Sequence, residues 1–251
     1  MKVLITGVSG LLGKYLIQNF PKNWEIFGVS KNLLNTNLIN MHKNLKFIEL
    51  DLLVKDKTLD FLQEVKPNFI VHCAAEGDVD QVQGKIKQHY RLNVGTPGSI
   101  SKWAFENKVN FIFISSNAIY SGNDVMYDEN SEANPINDYG ILKFLAEKKV
   151  NEVNNNLLII RPILMYGIPF INQRNNLVVN WIKKLNQNVE VQVVDDIYTQ
   201  PLFAKDCANI IKLCIEKNLK GSLNISGGKT ISLYDFAMLV SDVFNLDKKL
   251  P

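Results

Sequence analysis

Two side chains with useful proton chemistry, Tyr139 and Lys143, lie four residues apart in the sequence. On a helix, this spacing places both side chains on the same face, one turn apart. A tyrosine has an unperturbed pKa of about 10, and a neighbouring ammonium group favours the phenolate and lowers that pKa. We therefore expect the pair to transfer a proton near neutral pH. An ordinary structural pair on a helix is the alternative interpretation.

Ser116 adds a third group to the same chemistry. It follows an aliphatic and aromatic run at 111–114, which predicts a buried strand. Hydroxyl groups at the carboxyl end of a parallel strand face the ligand crevice of the sheet. A serine hydroxyl beside Tyr139 can hold a carbonyl oxygen. The three residues therefore predict the reduction of a ketone, provided that a hydride donor lies across from them.

A glycine-punctuated turn near the start of the chain predicts where that hydride donor binds. A β-branched and aliphatic run at 2–6 is followed at once by Gly7, Gly10 and Gly13, and then by apolar residues with helical spacing. A strand that enters a helix through glycines places free backbone N–H groups and the positive helix end at one point. That point suits a pyrophosphate. An ordinary tight turn between a strand and a helix is the alternative.

The end of the second predicted strand bears on the choice of cofactor. In dinucleotide-binding folds, an acidic residue at this point binds a ribose 2′-hydroxyl group, and it would repel a 2′-phosphate. This chain has Ser30 and Lys31 there instead. A lysine beside small polar side chains suits a 2′-phosphate, so we expect NADP as the cofactor, with NAD as the alternative.

The composition is that of a globular protein with a large core. Of the 251 residues, 46% are hydrophobic and 21% are charged, and the net charge is only +3. The basic residues are dispersed, so no nucleic-acid partner is expected. No apolar run approaches the roughly 20 residues that a membrane span needs, so no membrane partner is expected. The first strand begins beside Met1, which predicts no signal peptide and a cytoplasmic location.

Most residues of metal-ligating type are expected to be structural, and no metal site is predicted. The three cysteines are odd in number and far apart, which indicates reduced core thiols. His72 is expected inside a buried strand, and His42 and His89 are expected at the surface. Asp195 and Asp196 have no third ligand at a suitable spacing, so we expect them to lie in a loop.

Strands and helices alternate along the chain, which predicts an α/β fold with a doubly wound parallel sheet of Rossmann type. We expect a dinucleotide-binding domain at 1–165 and a small α/β substrate lobe at 166–251, with segments that interleave. The expected strands are at 2–6, 24–29, 44–50, 68–75, 110–115 and 157–160, with 189–194 and 223–226 in the lobe. The main expected helices are at 56–65, 82–107 with a break near 96–98, 139–153, 175–185, 204–217 and 232–244.

Five motifs occur in an order that resembles the extended short-chain dehydrogenases and reductases. They are the glycine turn, Ala74-Ala75, Asn93-Val94, Ser115-Ser116 and the tyrosine–lysine pair. Within that superfamily the chain is most similar to the dTDP-4-dehydrorhamnose reductases. The supporting segments are Tyr139-Gly140-x-x-Lys143-x-x-x-Glu147, Glu76-x-Asp78-Val79-Asp80, Val193-Val194-Asp195-Asp196, Pro201-x-x-Ala204-x-Asp206 and Ile225-Ser226-Gly227-Gly228.

The resemblance implies an activity and a role for each catalytic residue. The activity is NADPH-dependent reduction of the C4 keto group of a nucleotide-linked 4-keto-6-deoxy sugar. Tyr139 would donate a proton to the C4 carbonyl, and Lys143 would bind the nicotinamide ribose and tune the tyrosine. Ser116 would polarise the carbonyl. A homodimer is one option for the assembly.

The resemblance also implies two sets of binding residues. Besides Tyr139 and Lys143, the cofactor would contact Gly7, Ser9, Gly10, Leu11, Leu12, Gly13, Ser30, Lys31, Asp51, Leu52, Cys73, Ala74, Ala75, Asn93, Arg161 and Pro162. The substrate would contact Glu76, Asp78, Val79, Asn117, Leu164, Arg174 and Tyr198. In this set, the planar guanidinium of Arg174 suits a diphosphate better than a lysine does. Asn172, Asn175 and Gln200 are expected in the same loops.

Departures from the family pattern leave the sugar and the nucleotide open. The chain has Ser116-Asn117 where the family often has Thr-Asp, and Leu164 where it often has tryptophan. Two other functions stay open as well. One is a nucleotide-sugar epimerase or dehydratase that keeps NAD bound, and the other is a non-catalytic, cofactor-binding regulatory subunit, like the reductase-like chain that serves methionine adenosyltransferase.

Overall fold

The computed structural model describes residues 1–32, 41–123, 126–171 and 173–246, so Asn172 lies outside the described residues. The strands are β1 (Lys2–Thr6), β2 (Glu25–Ser30), β3 (Leu45–Glu49), β4 (Phe69–His72), β5 (Asn110–Ile114), β6 (Leu157–Pro162), β7 (Met165–Tyr166), β8 (Tyr198–Thr199), β9 (Leu202–Phe203), β10 (Gly221–Ile225) and β11 (Ile231–Ser232). The helices are α1 (Leu11–Asn19), α2 (Lys55–Val65), α3 (Val79–Val82), α4 (Ile86–Tyr90), α5 (Thr96–Glu106), α6 (Asp138–Val153), α7 (Leu177–Asn186), α8 (Ala204–Glu216) and α9 (Leu233–Val243).

A seven-stranded parallel sheet forms the centre of the molecule, in the order β10-β6-β5-β4-β1-β2-β3. The predicted Rossmann-like, doubly wound fold is confirmed. The chain runs outward from β1 through β2 to β3, and then returns to place β4 on the other side of β1. In such sheets a ligand crevice opens at the carboxyl ends of the strands where the order reverses. Here that point lies between β1 and β4.

Two hydrophobic clusters cover opposite faces of the sheet. Successive side chains of a strand point to opposite faces, and β1 shows this directly. Val3 and Ile5 belong to the cluster that includes α1 and α8, whereas Leu4 belongs to the cluster that includes α2, α5 and α6. Because both faces of the central strands are buried, these strands are continuous aliphatic runs, which is why they could be predicted.

The C-terminal part of the chain is divided between the sheet and a smaller cluster. Helix α8 packs against α1 through Cys207, Ile211 and neighbouring residues, and β10 pairs with β6 at the sheet edge. The remaining helices, α7 and α9, pack together around Trp181 and Phe236. The strand expected at 223–226 is therefore part of the main sheet rather than of a separate lobe.

Three local predictions are wrong. Residues 189–194 do not form a strand. Their alternation arises because Val191 is buried in the α7–α9 cluster while its neighbours are exposed, and no ladder forms. The fourth strand ends at His72 rather than at 75. His42 is buried rather than exposed, and one ring nitrogen lies 3.0 Å from the Pro21 carbonyl oxygen.

The helix expected at 82–107 breaks earlier than predicted. A π-helical turn at Arg91–Gly95 separates α4 from α5. Pro97 does not interrupt the helix, because it lies in the first turn of α5, where a missing N–H group costs little. π-Helical turns occur frequently at functional sites, and this one carries Asn93.

Candidate functional site

Helix α6 brings Tyr139 to the carboxyl end of β5. The Asn137 side chain caps the helix by accepting a hydrogen bond from the Gly140 N–H group (2.8 Å). Gly140 packs directly against the short 3₁₀ turn at Asn117–Ile119, since a Cβ atom at this position would overlap the Ala118 carbonyl group. The glycine after the tyrosine is therefore a site-building residue. The sequence shows a glycine at this position, but it does not show that the glycine packs against Ala118.

Ser116 and Tyr139, which the sequence predicts to react together, lie next to each other. Ser116 precedes the 3₁₀ turn, and its Oγ accepts a hydrogen bond from the Ala118 N–H group (3.1 Å). That contact leaves the hydroxyl proton of Ser116 free to face Tyr139, and the hydroxyl group is near enough to lower the pKa of the phenol. Both side chains are partly buried.

The pKa of Tyr139 is shifted in the opposite direction from the one expected. Burial raises the pKa of the phenol to about 12, and the Ser116 hydroxyl group and the positive charge of Arg174 oppose that rise only in part. Desolvation therefore outweighs the combined effect of Ser116 and Arg174. The expected lowering of this pKa is wrong, and Tyr139 is protonated at neutral pH.

Lys143 is buried beside Tyr139. Only 4% of the residue is exposed, and its Nζ donates a hydrogen bond to the Ile114 carbonyl oxygen (2.8 Å). Nζ also lies 5.8 Å from the centroid of the Tyr139 ring. Burial lowers the pKa of Lys143 to about 8, and the nearby Glu147 carboxylate opposes that shift only in part. A small change in pH near this value alters the charge of the site.

The glycine turn fits a dinucleotide pyrophosphate. Gly7 has a φ of +67°, and a Cβ atom there would lie 2.7 Å from the Ala74 nitrogen, so the turn lies directly against the end of β4. Helix α1 begins after Gly10 with no side-chain cap. Its first backbone N–H groups are therefore available to an anionic ligand. Leu11, Leu12 and Gly13 form this first turn, and Ser9 precedes it.

A buried polar contact joins the two strands beneath the crevice. Thr6 Oγ1 lies 2.8 Å from Nδ1 of His72 and accepts a hydrogen bond from the Ala74 N–H group (3.3 Å). His72 is 1% exposed, as the sequence predicted, and burial lowers its pKa to about 3. Cys73, Ala74 and Ala75 follow β4 at this position and are partly exposed. Burial raises the pKa of the Cys73 thiol, so it is not a thiolate.

The residues expected at the adenosine end of the cofactor lie together. Ser30 Oγ donates a hydrogen bond to Ser9 Oγ (3.0 Å), which links the end of β2 to the glycine turn. Lys31 forms an ion pair with Asp51 (3.2 Å). The Leu53 N–H group also bonds to Asp51, and these contacts lower the pKa of its carboxyl group. A bound 2′-phosphate would therefore share Lys31 with a carboxylate. Leu52 lies in the same segment.

Asn93 holds the loop that follows β4. Its Oδ1 accepts a hydrogen bond from the Glu76 N–H group (2.8 Å), and its Nδ2 donates to the Glu76 carbonyl oxygen (3.0 Å). The Glu76 carboxylate in turn accepts a bond from the Asp78 N–H group (3.0 Å). The π-helical turn thus supports the loop after β4 through its asparagine. A direct contact between Asn93 and the cofactor stays a prediction.

Arg174 and Asp78, two residues expected to bind substrate, form an ion pair. Arg174 Nε lies 3.2 Å from Asp78 Oδ2, and 59% of the arginine side chain is exposed. Since the charge of Arg174 also acts on the pKa of Tyr139, this arginine lies on the crevice side of the molecule. Val79 directly follows Asp78, and Asn117 directly follows Ser116. Both residues are exposed.

Three other residues expected to bind substrate or cofactor lie in or beside strands β6, β8 and β9. Tyr198 is in β8, which pairs with β11, and is 68% exposed. The Leu164 carbonyl oxygen accepts a bond from the Leu202 N–H group (2.9 Å). Pro162 ends β6 and pairs with Ile225 of β10. Their contacts with a ligand stay predictions.

Arg161 is engaged with protein groups. Its guanidinium binds the Glu147 carboxylate, the Tyr120 hydroxyl group and the Glu129 carbonyl oxygen. The arginine and glutamate side chains are only 11% and 6% exposed. Sequence reasoning placed Arg161 beside the cofactor and did not find these partners.

This arrangement of sheet, glycine turn and Ser–Tyr–Lys set is that of an extended short-chain dehydrogenase or reductase. Residues 1–251 match the family model described as the RmlD substrate binding domain, and the chain belongs to that family. The solved dTDP-4-dehydrorhamnose reductase of Bacillus anthracis, in complex with NADP, is 27% identical with a TM-score of 0.85, over 98% of this chain and 81% of that one. The solved dTDP-4-dehydrorhamnose reductase of Clostridium acetobutylicum is 26% identical with a TM-score of 0.86. The match covers 100% of this chain and 83% of that one.

Curated relatives include proteins of two different kinds. Methionine adenosyltransferase 2 subunit beta of Rattus norvegicus is 29% identical over 251 residues, which cover 98% of this chain and 72% of that protein. The probable low-salt glycan biosynthesis reductase Agl14 of Haloferax volcanii is 23% identical, over 100% of this chain and 82% of that protein. One is a subunit of another enzyme and the other a reductase by name.

Two features of the described residues bear on partners and metals. None of their helices combines the length and the apolar composition needed to cross a membrane. Nor do three or more His, Cys, Asp or Glu side chains of the described ranges cluster in a way that could hold a metal ion.

Proposed function

We propose that this protein catalyses the NADPH-dependent reduction of the C4 keto group of a nucleotide-linked 4-keto-6-deoxy sugar. The observation that carries the proposal is the placement of Ser116 next to Tyr139, with Lys143 buried beside them. Ser116 follows β5 and the glycine turn follows β1, so both lie at the carboxyl ends of the two strands that flank β4. Family membership and the likeness to two dTDP-4-dehydrorhamnose reductases support the same reaction.

The glycine turn and the ends of β2 and β4 would hold the cofactor. The open N-terminus of α1 would bind the pyrophosphate, and Ser9, Ser30 and Lys31 would surround the adenosine ribose. A lysine and two hydroxyl groups favour a 2′-phosphate, which supports NADP, with NAD as the alternative. When bound, the cofactor supplies the hydride.

The side chains at the site would complete the reaction by moving a proton. Since its pKa is about 12, Tyr139 carries its proton at neutral pH and can give it to the oxygen that forms at C4. The hydroxyl group of Ser116 would donate a hydrogen bond to the same oxygen, while its own oxygen accepts one from the Ala118 N–H group. As an ammonium ion, Lys143 stabilises the phenolate that remains and holds the ribose beside it.

The loop residues Asp78 and Arg174 would select the substrate. In the free protein these residues pair with each other. A diphosphate carries more negative charge than one carboxylate and accepts two parallel bonds from a guanidinium group. Binding of a nucleotide sugar would therefore draw Arg174 from Asp78 to the diphosphate. This supports a nucleotide-linked substrate over a free sugar.

The direct test is a screen of nucleotide-linked 4-keto-6-deoxy sugars with NADPH, followed as loss of NADPH absorbance. Turnover of at least one such sugar, with a stoichiometric alcohol product, is the expected result. A protein that binds NADPH but reduces none of the sugars, with different nucleotides and at several pH values, would contradict the proposal. Oxidation of NADPH without a sugar product would contradict it as well.

A cofactor-binding regulatory subunit is the second candidate. The observation that favours it is the 29% identity to methionine adenosyltransferase 2 subunit beta over nearly the whole chain. The test is to mix the protein with a methionine adenosyltransferase catalytic subunit and measure complex formation and the rate of that enzyme. A stable complex together with no sugar turnover would favour this candidate. An epimerase with bound NAD is less well supported, because Ser30 and Lys31 stand where an acidic residue would bind NAD.

A further inference from the structure

A buried ion pair lies directly behind the site. Glu147 follows Lys143 by one turn of α6 and is 4% exposed. Its two carboxylate oxygens accept three contacts from Arg161, at 2.8 Å from Nη2 and at 3.0 and 3.3 Å from Nε. Such a forked, buried pair is strongly directional, and removal of one partner leaves the other charge without compensation.

The arginine extends this pair to a second element. Its Nη1 donates to the Tyr120 hydroxyl group (2.8 Å) and to the Glu129 carbonyl oxygen (3.1 Å). The Tyr120 ring stacks on that of Tyr127, with 4.5 Å between the centroids. The Glu129 carboxylate accepts a bond from the Asn224 N–H group in β10 (2.8 Å). These contacts connect Tyr120 and Glu129, which lie between the 3₁₀ turn and α6, to strands β6 and β10.

The two ends of this network are the two elements that carry the chemistry. Tyr120 directly follows the 3₁₀ turn that begins after Ser116, and Glu147 lies on the face of α6 that carries Tyr139 and Lys143. We propose that the Glu147–Arg161 pair is a positioning pair, which fixes the Ser116 turn relative to the catalytic face of α6 without touching substrate or cofactor. This inference rests on the reductase function proposed above.

Charge gives the pair a second effect on the same site. The titratable and charged groups that face the Lys143 ammonium are those of His72, Cys73, Tyr139 and Glu147. Glu147 supports the charged form of Lys143, and Arg161 limits that support by neutralising the carboxylate. Loss of the glutamate charge alone would leave the positive charge of Arg161 uncompensated. Lys143 would then lose its proton at a lower pH.

The test compares Glu147→Gln with Glu152→Gln. Glu152 lies on the same helix and has the same charge, but it pairs with Lys149 at the surface (2.8 Å), outside the network. For Glu147→Gln we expect kcat to fall by about 10- to 100-fold, as misplacement of reacting groups typically does. We also expect NADPH affinity to be lost at a lower pH than in the wild type. Glu152→Gln should match the wild type in both measurements.

A milder variant separates position from charge. Tyr120→Phe removes the hydroxyl group, which contacts Arg161 and also the Asp128 carbonyl oxygen and Asn224 Oδ1, and it leaves the ion pair intact. We expect its kcat to fall several-fold while the pH dependence of NADPH affinity stays that of the wild type. If Glu147→Gln fails to fold, Tyr120→Phe still tests the positioning role.

The outcomes distinguish this inference from the proposed function. If the wild type reduces a sugar and both Glu147→Gln and Tyr120→Phe keep its kcat, the positioning role is overturned and the reductase stands. If the wild type reduces no sugar, the pH dependence of NADPH binding still decides. A Glu147→Gln curve identical to that of Glu152→Gln then overturns the inference, and a shift to lower pH supports it.

Discussion

At the scale of single residues, the phenol of Tyr139 is defined by how firmly it holds its proton. A pKa of about 12 makes the residue a weak acid, but one that is always protonated at the start of a reduction. Its acidity has to come from the oxyanion that forms next to it and from the neighbouring ammonium group. This suits donation to a developing alkoxide better than proton removal from an alcohol at neutral pH.

Tyr139→Phe should therefore remove most of the reductase activity. The change deletes the proton donor and leaves the ring, so we expect kcat to fall by about 10²–10⁴-fold. NADPH affinity should stay within about twofold of the wild type. Steady-state kinetics and cofactor titration measure the two effects. A loss of less than tenfold in kcat would show that another group donates the proton.

Lys143 gives the site a dependence on pH. Burial has lowered its pKa to about 8, so the ammonium form is complete below that value and is lost as the pH rises through it. We expect NADPH affinity to weaken over the same interval. Lys143→Met should bind NADPH more weakly at pH 7 and should lack this dependence. Titrations between pH 6.5 and 9.5 test this, and an unchanged slope in the variant would assign the effect to another group.

At the scale of elements, the site depends on how closely α6 approaches the 3₁₀ turn. Gly140 permits that approach, because any side chain there would meet the Ala118 carbonyl group. Gly140→Ala should lower the free energy of unfolding by about 1–3 kcal/mol, in the range of other overpacked sites. It should also reduce kcat, because Tyr139 moves away from Ser116.

Gly228→Ala is the matched control for that change. A Cβ atom at Gly228 would meet nothing within 4 Å, and its φ lies outside the left-handed region. This variant should keep the stability and kcat of the wild type. Denaturant unfolding and steady-state kinetics would measure both. If Gly140→Ala behaved like this control, the close packing would not be needed for activity.

The same scale shows what the sequence could predict. The buried strands and the glycine turn are local patterns, since each needs only a continuous run or a fixed spacing, and both were predicted within a few residues. The strand expected at 189–194 failed because alternation reports burial of Val191 and not hydrogen bonding to a neighbouring strand. The partner of Arg174 was not predictable, since Asp78 lies on a different element far away in the sequence. Glu147 is close to Arg161 in the sequence, but spacing between a helix and the strand after it does not show which side chains meet.

The direction of the pKa shift of Tyr139 was missed for a related reason. Spacing along a helix identifies the neighbouring lysine, but it does not show how much solvent the phenol loses. In the folded chain, the loss of solvent around the phenol raises its pKa more than the charge of Arg174 lowers it. The motif was sufficient to name the candidate catalytic residues. The pKa shifts of Tyr139 and Lys143 could not be predicted from it, because they depend on how other side chains bury these two groups.

At the scale of the whole molecule, the contact between Asp78 and Arg174 joins the sheet to the C-terminal part of the chain across the crevice. Arg174→Ala should raise the KM for a nucleotide sugar several-fold and leave NADPH affinity unchanged, because the diphosphate loses its forked partner. Lys184→Ala, an exposed cation on α7, is the control for net charge. Equal KM values for the two variants would place the diphosphate elsewhere.

The return of the chain to the sheet has a consequence for biosynthesis. Helix α8 covers α1, and β10 closes the edge beside β6, so the first half of the protein lacks part of its core until these late segments emerge from the ribosome. The nascent chain would expose the apolar side of α1 and an unpaired strand edge during that time. A fragment ending near residue 165 should aggregate rather than fold, and chaperones that shield apolar segments should bind this protein during translation.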